Sequence, residues 1–200
     1  MIVTPLFSKP IYYNRLDLNT EEITSIVKDK ARQSQNNRSG DNNDNFLYIL
    51  NDPELGNLKN IILKEIAGFA NEVLKYKNEF RITTSWATVT KQNESGQFHN
   101  HTNCILSGVV YIKTEKNCGN LVFQDFNTRS IEPEVTEWNV YNSKKWSYEP
   151  NEGDIIIFPS EVNHMIETNN SDSLRHSIAF NAMPTGFIGS GKADSQIYFR

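Results

Sequence analysis

Several things are scarce in this 200-residue chain, and each scarcity removes a class of function. Cysteine occurs twice, at Cys104 and Cys118. A small secreted scaffold stapled by disulfides uses more, so two reduced thiols are expected. No apolar run approaches the roughly 18–20 residues that a membrane span needs. The opening, MIVTPLFSKPIYYNR, places Pro5, Lys9 and Pro10 where a signal peptide keeps an unbroken apolar stretch. A cytoplasmic protein with no membrane partner is therefore expected. A basic surplus is also missing: 20 Lys and Arg stand against 24 Asp and Glu, for a net charge of −4. Nothing in that balance neutralises phosphates, so no nucleic-acid partner is expected. Histidine is scarce as well, at His99, His101, His164 and His176 only.

Apolar material, by contrast, is ample. Hydrophobic residues make up 38% and aromatics 11%, enough for a sizeable core. Asparagine is heavily used, and QSQNNRSGDNNDN (33–45) has nothing apolar to bury, which predicts a mobile loop. Asn19 with Glu22 three positions on forms a capping box ahead of a helix whose Ile23, Ile26, Val27 and Ala31 share a face. FLYIL (46–50) is ambiguous between strand and helix. A second helix is expected over about 57–76, where Leu58, Ile61, Ile62, Ile66, Phe69, Ala70, Val73 and Leu74 recur at helical steps. Beyond Asn78 the runs RITTSWATVTKQ, CILSGVVYIKT, NLVFQD, DIIIF and RHSIAFNA are β-branched and aromatic, separated by turn signals. The expectation is one domain over 1–200, mainly β with N-terminal helices. A helical front (1–78) would pack on the outer face of a β-sandwich or barrel (79–200).

Three of the four histidines fall in two short segments, GQFHNHTN and FPSEVNHMIE. A lone histidine is usually structural or solvated. On a strand, however, residues i and i+2 point to one face about 6–7 Å apart, so the imidazoles of an HxH pair can converge on one metal. Eleven residues after His164, the strand RHSIAFNA begins. Its Arg175, Ser177, Ala179 and Asn181 share one face, and His176, Ile178 and Phe180 the other. A guanidinium fork suits a carboxylate, and a hydroxyl two residues on adds a donor, so Arg175 and Ser177 can clamp one. His176 points away and reads as structural.

The order HxH or HxN, then SGVVYI, then a glycine before NLVF, then P-x-x-GD-IIIFPS-x-x-x-H, then R-x-S resembles the iron(II)/2-oxoglutarate-dependent oxygenases. The likeness spans about residues 86–182 and is greatest to the 2-oxoglutarate/iron oxygenase proteins of marine bacteria and their phages. It implies a double-stranded β-helix (a jelly-roll, cupin-like barrel) and a dioxygenase that uses Fe(II) and 2-oxoglutarate. Such an enzyme would hydroxylate a small molecule or a protein side chain, releasing succinate and CO₂. It also implies a facial metal triad, with the far carboxylate of 2-oxoglutarate on Arg175 and Ser177. Tyr111, on SGVVYI, either lines that pocket or belongs to the core. The usual triad carries a carboxylate, and here two registers remain open. His99, His101 and His164 give three imidazoles; His101, Asn103 and His164 leave an amide, or water, in place of His99. Imidazole is the better ligand, which favours the first. Asp125 is a remote carboxylate candidate, although an acid at a strand end is usually solvated. Two rivals remain: a cupin-type metalloprotein without 2-oxoglutarate, which leaves Arg175 and Ser177 idle, and a non-catalytic binding module on the same barrel. The stretch 125–152, with Trp138, Tyr141, Trp146 and Tyr148, is expected to be a long loop, either rimming a substrate site or folding over a small core of its own.

Overall fold

A computed structural model of the chain describes residues 2–33, 47–127, 131–189 and 194–200; the expected polar loop, apart from Gln33, lies outside these residues. The chain opens with strand β1 (Tyr12–Arg15) and helix α1 (Thr20–Val27). The Asn19 side chain accepts from the Glu22 N–H, the N-cap half of the capping box, and its amide, rather than its backbone N–H, donates to the Glu22 carboxylate. A two-residue strand β2 (Arg32–Gln33) follows. The ambiguous FLYIL segment settles, from Leu47 on, as a β-bridge at Tyr48 leading into a 3₁₀ turn over Ile49–Asn51, which buries Ile49 and Leu50. Helix α2 (Gly56–Gly68) ends in a π turn (Phe69–Val73). The expected helix therefore changes winding at Phe69 and stops near Lys75, whose φ of 59° ends it. Val73, expected on the buried face, is exposed as a result.

The strands read from the sequence all form: β3 (Phe80–Thr90), β5 (Leu106–Lys113), β6 (Leu121–Gln124), β8 (Asp154–Pro159) and β10 (Arg175–Pro184). Between and after them lie short strands β4 (Gly96–His99), β7 (Lys145–Tyr148), β9 (His164–Ile166), β11 (Gly186–Ile188) and β12 (Ile197–Phe199). A six-stranded sheet runs β1-β8-β5-β10-β3-β2 and a four-stranded sheet β4-β9-β6-β7, with β11 and β12 as a separate pair. Every pairing is antiparallel except β2 with β3.

Alternation divides the six-stranded sheet into two chemistries. Leu106, Val110, Ile112, Ile155, Ile157, Ile178, Phe180 and Ala182 face outwards and form one core with Val27, Leu58, Ile62, Ile66 and Phe69 of the helical layer. Burying each of the larger side chains among these contributes about 1.5–3 kcal/mol. The inner face gives Val109, Tyr111, Ile156 and Phe158 to a second cluster with Leu121, Phe123 and Val162 from the four-stranded side. The space between the two sheets receives the polar residues of the same strands, and the candidate site lies there. Among the described residues no helix is long and apolar enough to cross a membrane, and both cysteines are unpaired.

Candidate metal and cosubstrate site

Strands β4 and β9 pair so that His99 stands directly opposite His164. His101 lies just past the end of β4, where its backbone N–H donates to the Ser160 carbonyl at 2.9 Å. One ligating nitrogen from each of His99, His101 and His164 lies within 4.8 Å of the others. Ring centroids are 5.0 Å apart for His99 and His101, 4.4 Å for His99 and His164, and 5.1 Å for His101 and His164. The tautomers follow from the neighbours. The Nδ1 of His164 is 2.9 Å from the Val162 carbonyl, and that of His99 is 2.8 Å from the Gln97 carbonyl. A carbonyl only accepts, so in the neutral rings Nδ1 carries the proton and Nε2 keeps its lone pair, as in histidines set to bind a metal. The Nε2 atoms of His101 and His164 approach to 3.3 Å.

Apolar rings shield the group. Phe158 meets His164 edge-on at 4.7 Å, Phe123 is 6.3 Å away, and Trp86 tilts over His101 at 5.8 Å. His164 is buried, with His99 and His101 half-buried. Asn103 sits instead in an exposed turn with a φ of 61°. Asp125 is exposed, and its carboxylate accepts from the Asn127 N–H in a local turn, the solvated role expected of a strand-end acid.

Arg175 has no exposed surface. Its Nη1 donates to the Cys118 and Gly119 carbonyls at 3.0 and 3.1 Å, and its Nη2 to Thr90 Oγ1 at 2.8 Å. Three of its five donors are thus engaged, all by neutral acceptors. The Nε–H has no partner among the described residues, and neither has the hydroxyl of Tyr111, which is also fully buried. Tyr111 pairs with Ser177 across β5 and β10, which puts it on the inner face that carries Arg175. Burial lowers the Arg175 pKa and raises that of Tyr111 well above the usual phenol value, against an opposing pull from the guanidinium. A buried donor left unmade costs about 1–3 kcal/mol, and an uncompensated buried cation more. One carboxylate would satisfy both donors and the charge together. Ser177, 3% exposed, lies between them in register.

The sequence did not announce what aims the arginine. Gly119 has a φ of 91°, and a Cβ there would stand 2.2 Å from the Glu167 carbonyl oxygen. Only glycine lets this backbone pass close enough to hold Nη1, and the CGN turn was the available signal. His176, on the outer face, is buried, and its Nδ1 has no partner among the described residues. In the 125–152 stretch, β7 is an edge strand rather than part of a loop. Trp138, Tyr141 and Trp146 are exposed, so they form no core of their own.

Comparison with known proteins bears on this geometry. Residues 84–181 match the family model of the 2OG-Fe(II) oxygenases. No curated protein matches the chain in sequence. Among solved structures, a 2OG-Fe(II) oxygenase-family oxidoreductase from Burkholderia pseudomallei aligns at 13% identity and a TM-score of 0.52, covering 67% of this chain and 58% of its own. The α-ketoglutarate-dependent carbocyclase SnoK of nogalamycin biosynthesis aligns at 17% identity and 0.60, covering 94% and 85%. HygX from Streptomyces hygroscopicus, solved with nickel and 2-oxoglutarate bound, aligns at 10% and 0.57, covering 96% and 91%. At these identities the structures speak for the fold alone, which is the expected double-stranded β-helix. The matched segment runs from β3 to β10 and takes in every histidine and the buried arginine, so family model and fold together support the iron(II)/2-oxoglutarate-dependent oxygenase superfamily.

Proposed function

We propose that His99, His101 and His164 hold one Fe(II), and that 2-oxoglutarate reaches from that metal to Arg175, Tyr111 and Ser177. The protein, a single cytoplasmic domain, would then hydroxylate a small molecule or a protein side chain, releasing succinate and CO₂. One observation carries the reading: the same inter-sheet space holds three convergent imidazoles and a buried guanidinium that, among the described residues, has an unpartnered N–H and no ion pair. Borderline imidazole nitrogens suit Fe(II), and a dicarboxylate is the ligand that answers both features. A cupin-type site leaves the buried cation unexplained.

The chain's own parts are then assignable. The carbonyls of Gln97 and Val162 hold two Nδ1–H groups and so direct two Nε2 lone pairs inwards. The carbonyls of Cys118 and Gly119, with Thr90, fix the guanidinium in orientation. Phe123, Phe158 and Val162 keep the inner end dry, which strengthens every charge interaction there. Bound Fe(II) with 2-oxoglutarate supplies the O₂ chemistry, and the protein supplies position and environment. Supporting the three-histidine set over the alternative is the exposure of Asn103.

The test is anaerobic loading with Fe(II), followed by 2-oxoglutarate and O₂. About one Fe(II) per chain and succinate release that disappears in His164→Ala are expected. Full iron occupancy in His164→Ala would overturn the assignment.

A further inference from the structure

We propose that Ser160, held in place by Ser107 and Asn181, is a positioning residue that sets the spacing between His101 and His164. The proposal rests on the metal reading above. Ser160 follows β8, is 1% exposed, and uses all three of its polar groups. Its N–H donates to the Ile105 carbonyl at 3.0 Å and its carbonyl accepts from the His101 N–H at 2.9 Å, so it brackets both ends of the turn that carries His101. Its hydroxyl meets the Ser107 hydroxyl at 2.8 Å. The Ser107 hydroxyl donates onward to Asn181 Oδ1 at 2.8 Å, so Ser160 must be the donor in the preceding bond. Asn181 Nδ2 in turn donates to Thr84 Oγ1 at 3.0 Å. This chain of bonds ties the end of β8 to β5, β10 and β3.

The same short segment reaches the second histidine. Residues 160–163 lie between β8 and β9, outside any strand, with Val162 N–H closing a turn onto the Pro159 carbonyl at 3.0 Å. The Val162 carbonyl is the partner of His164 Nδ1. One turn therefore grips the backbone of His101 through Ser160 and the ring of His164 through Val162. A shift of Ser160 would alter the 3.3 Å approach of their Nε2 atoms. Replacing both partners of such a neutral bond by apolar groups of the same shape can leave stability nearly unchanged. What a connected polar network adds is a unique geometry.

The experiment titrates Co(II) into the full-length metal-free protein, recording affinity and ligand-field absorption, alongside thermal melting without metal. Ser160→Ala and Ser107→Ala should each weaken Co(II) binding at least about tenfold, the usual scale for a partner that orients a metal ligand. Each should also change the absorption spectrum at saturation. Ser107→Ala breaks the chain one bond further from the histidines, and so serves if Ser160→Ala fails to fold. Asn169→Ala is the control: Asn169 is equally buried but bonds Thr90 and Ser173 at the Arg175 end. It should lower the melting temperature and leave the Co(II) spectrum unchanged. The positioning role is overturned if both serine variants bind Co(II) within about twofold of wild type with the same spectrum, or if Asn169→Ala changes it as they do. Wild-type protein that takes up no Co(II), or His164→Ala that takes it up equally, would instead remove the metal reading and this proposal with it.

Discussion

Replacing Arg175 by alanine separates the oxygenase reading from its rivals, because only that reading gives the residue a ligand. Three of its donors are spent on Cys118, Gly119 and Thr90, which leaves the unpartnered Nε–H and one Nη2 hydrogen. A carboxylate accepting from these would form a charge-assisted pair inside a site with no exposed surface on the arginine. Truncating one partner of a buried, hydrogen-bonded charge pair costs about 2–5 kcal/mol. At about 1.4 kcal/mol per decade, the dissociation constant for 2-oxoglutarate should rise at least roughly 30-fold, and up to a few thousandfold. Arg175→Lys should recover little, since an ammonium cannot reproduce both the carbonyl contacts and the fork. Calorimetry on Mn(II)-loaded protein without O₂ measures this free of turnover, and metal affinity measured in parallel should move far less. Equal 2-oxoglutarate affinity in wild type and Arg175→Ala would refute the reasoning and return the cupin-type alternative.

Tyr111→Phe removes one donor to the same carboxylate, worth about 1.5–3 kcal/mol for a bond to a charged group. A rise of roughly ten- to 150-fold in the 2-oxoglutarate dissociation constant is expected by the same calorimetry, without loss of metal. His99→Ala and His101→Ala should lose Fe(II) about equally, while Asn103→Asp gains nothing; iron analysis showing a clear gain from Asn103→Asp would revive the other register. Gly119→Ala forces a Cβ against the Glu167 carbonyl at a φ of 91°. Strain of about 1–3 kcal/mol should lower the melting temperature by about 2–12 °C in a chain of this size and weaken 2-oxoglutarate binding as the Arg175 support shifts. His176 is buried, and its pKa is lowered first by that burial and then by Lys113. Its neutral form is the one the fold accepts, so stability is full above the unfolded value near 6.5 and declines as pH falls below it. Urea midpoints should therefore drop less steeply below pH 6.5 in His176→Phe than in wild type, and identical slopes would contradict the assignment.

How much of this was legible depended on strand length. β3, β5 and β10 are eight to eleven residues long and carry enough β-branched alternation to be read directly. The strands β4, β7 and β9 have three or four residues, at most two alternations, and lack the apolar run that marks the equally short β6. Yet β4 and β9 set His99 against His164. The metal candidates were therefore visible by residue type while the elements that carry them were not. Tyr111 is packed among Val109, Ile156 and Phe158 as a core residue is, and its hydroxyl has no partner among the described residues, a donor that a strand pattern does not reveal. The support of Arg175 escaped because backbone carbonyls belong to every residue alike.

Site precision in this fold originates on the opposite face of the sheet. A slip of β10 by one residue would send His176 into the inter-sheet space and Arg175 out under the helices. What forbids the slip is the outer row of Ile178, Phe180 and Ala182, which shares one buried core with Ile62, Ile66 and Phe69. Phe180 is the tightest element of that row. Its ring lies over Gly108, its direct partner on β5, where an added Cβ would stand 2.4 Å from the ring and 2.7 Å from the Ile156 carbonyl. No side chain fits at 108 without pushing β5 away from β10 or β8. Those two contacts border Ser107 and Val109, the inner-face neighbours of Asn181 and Ala179. The glycine in SGVVYI and the helical layer therefore act on the same quantity, the register that keeps Arg175, Ser177 and Asn181 on the side of the histidines. Binding geometry and core packing are two faces of one strand alignment, so an outer-face defect should appear in metal and 2-oxoglutarate affinity even where the fold survives.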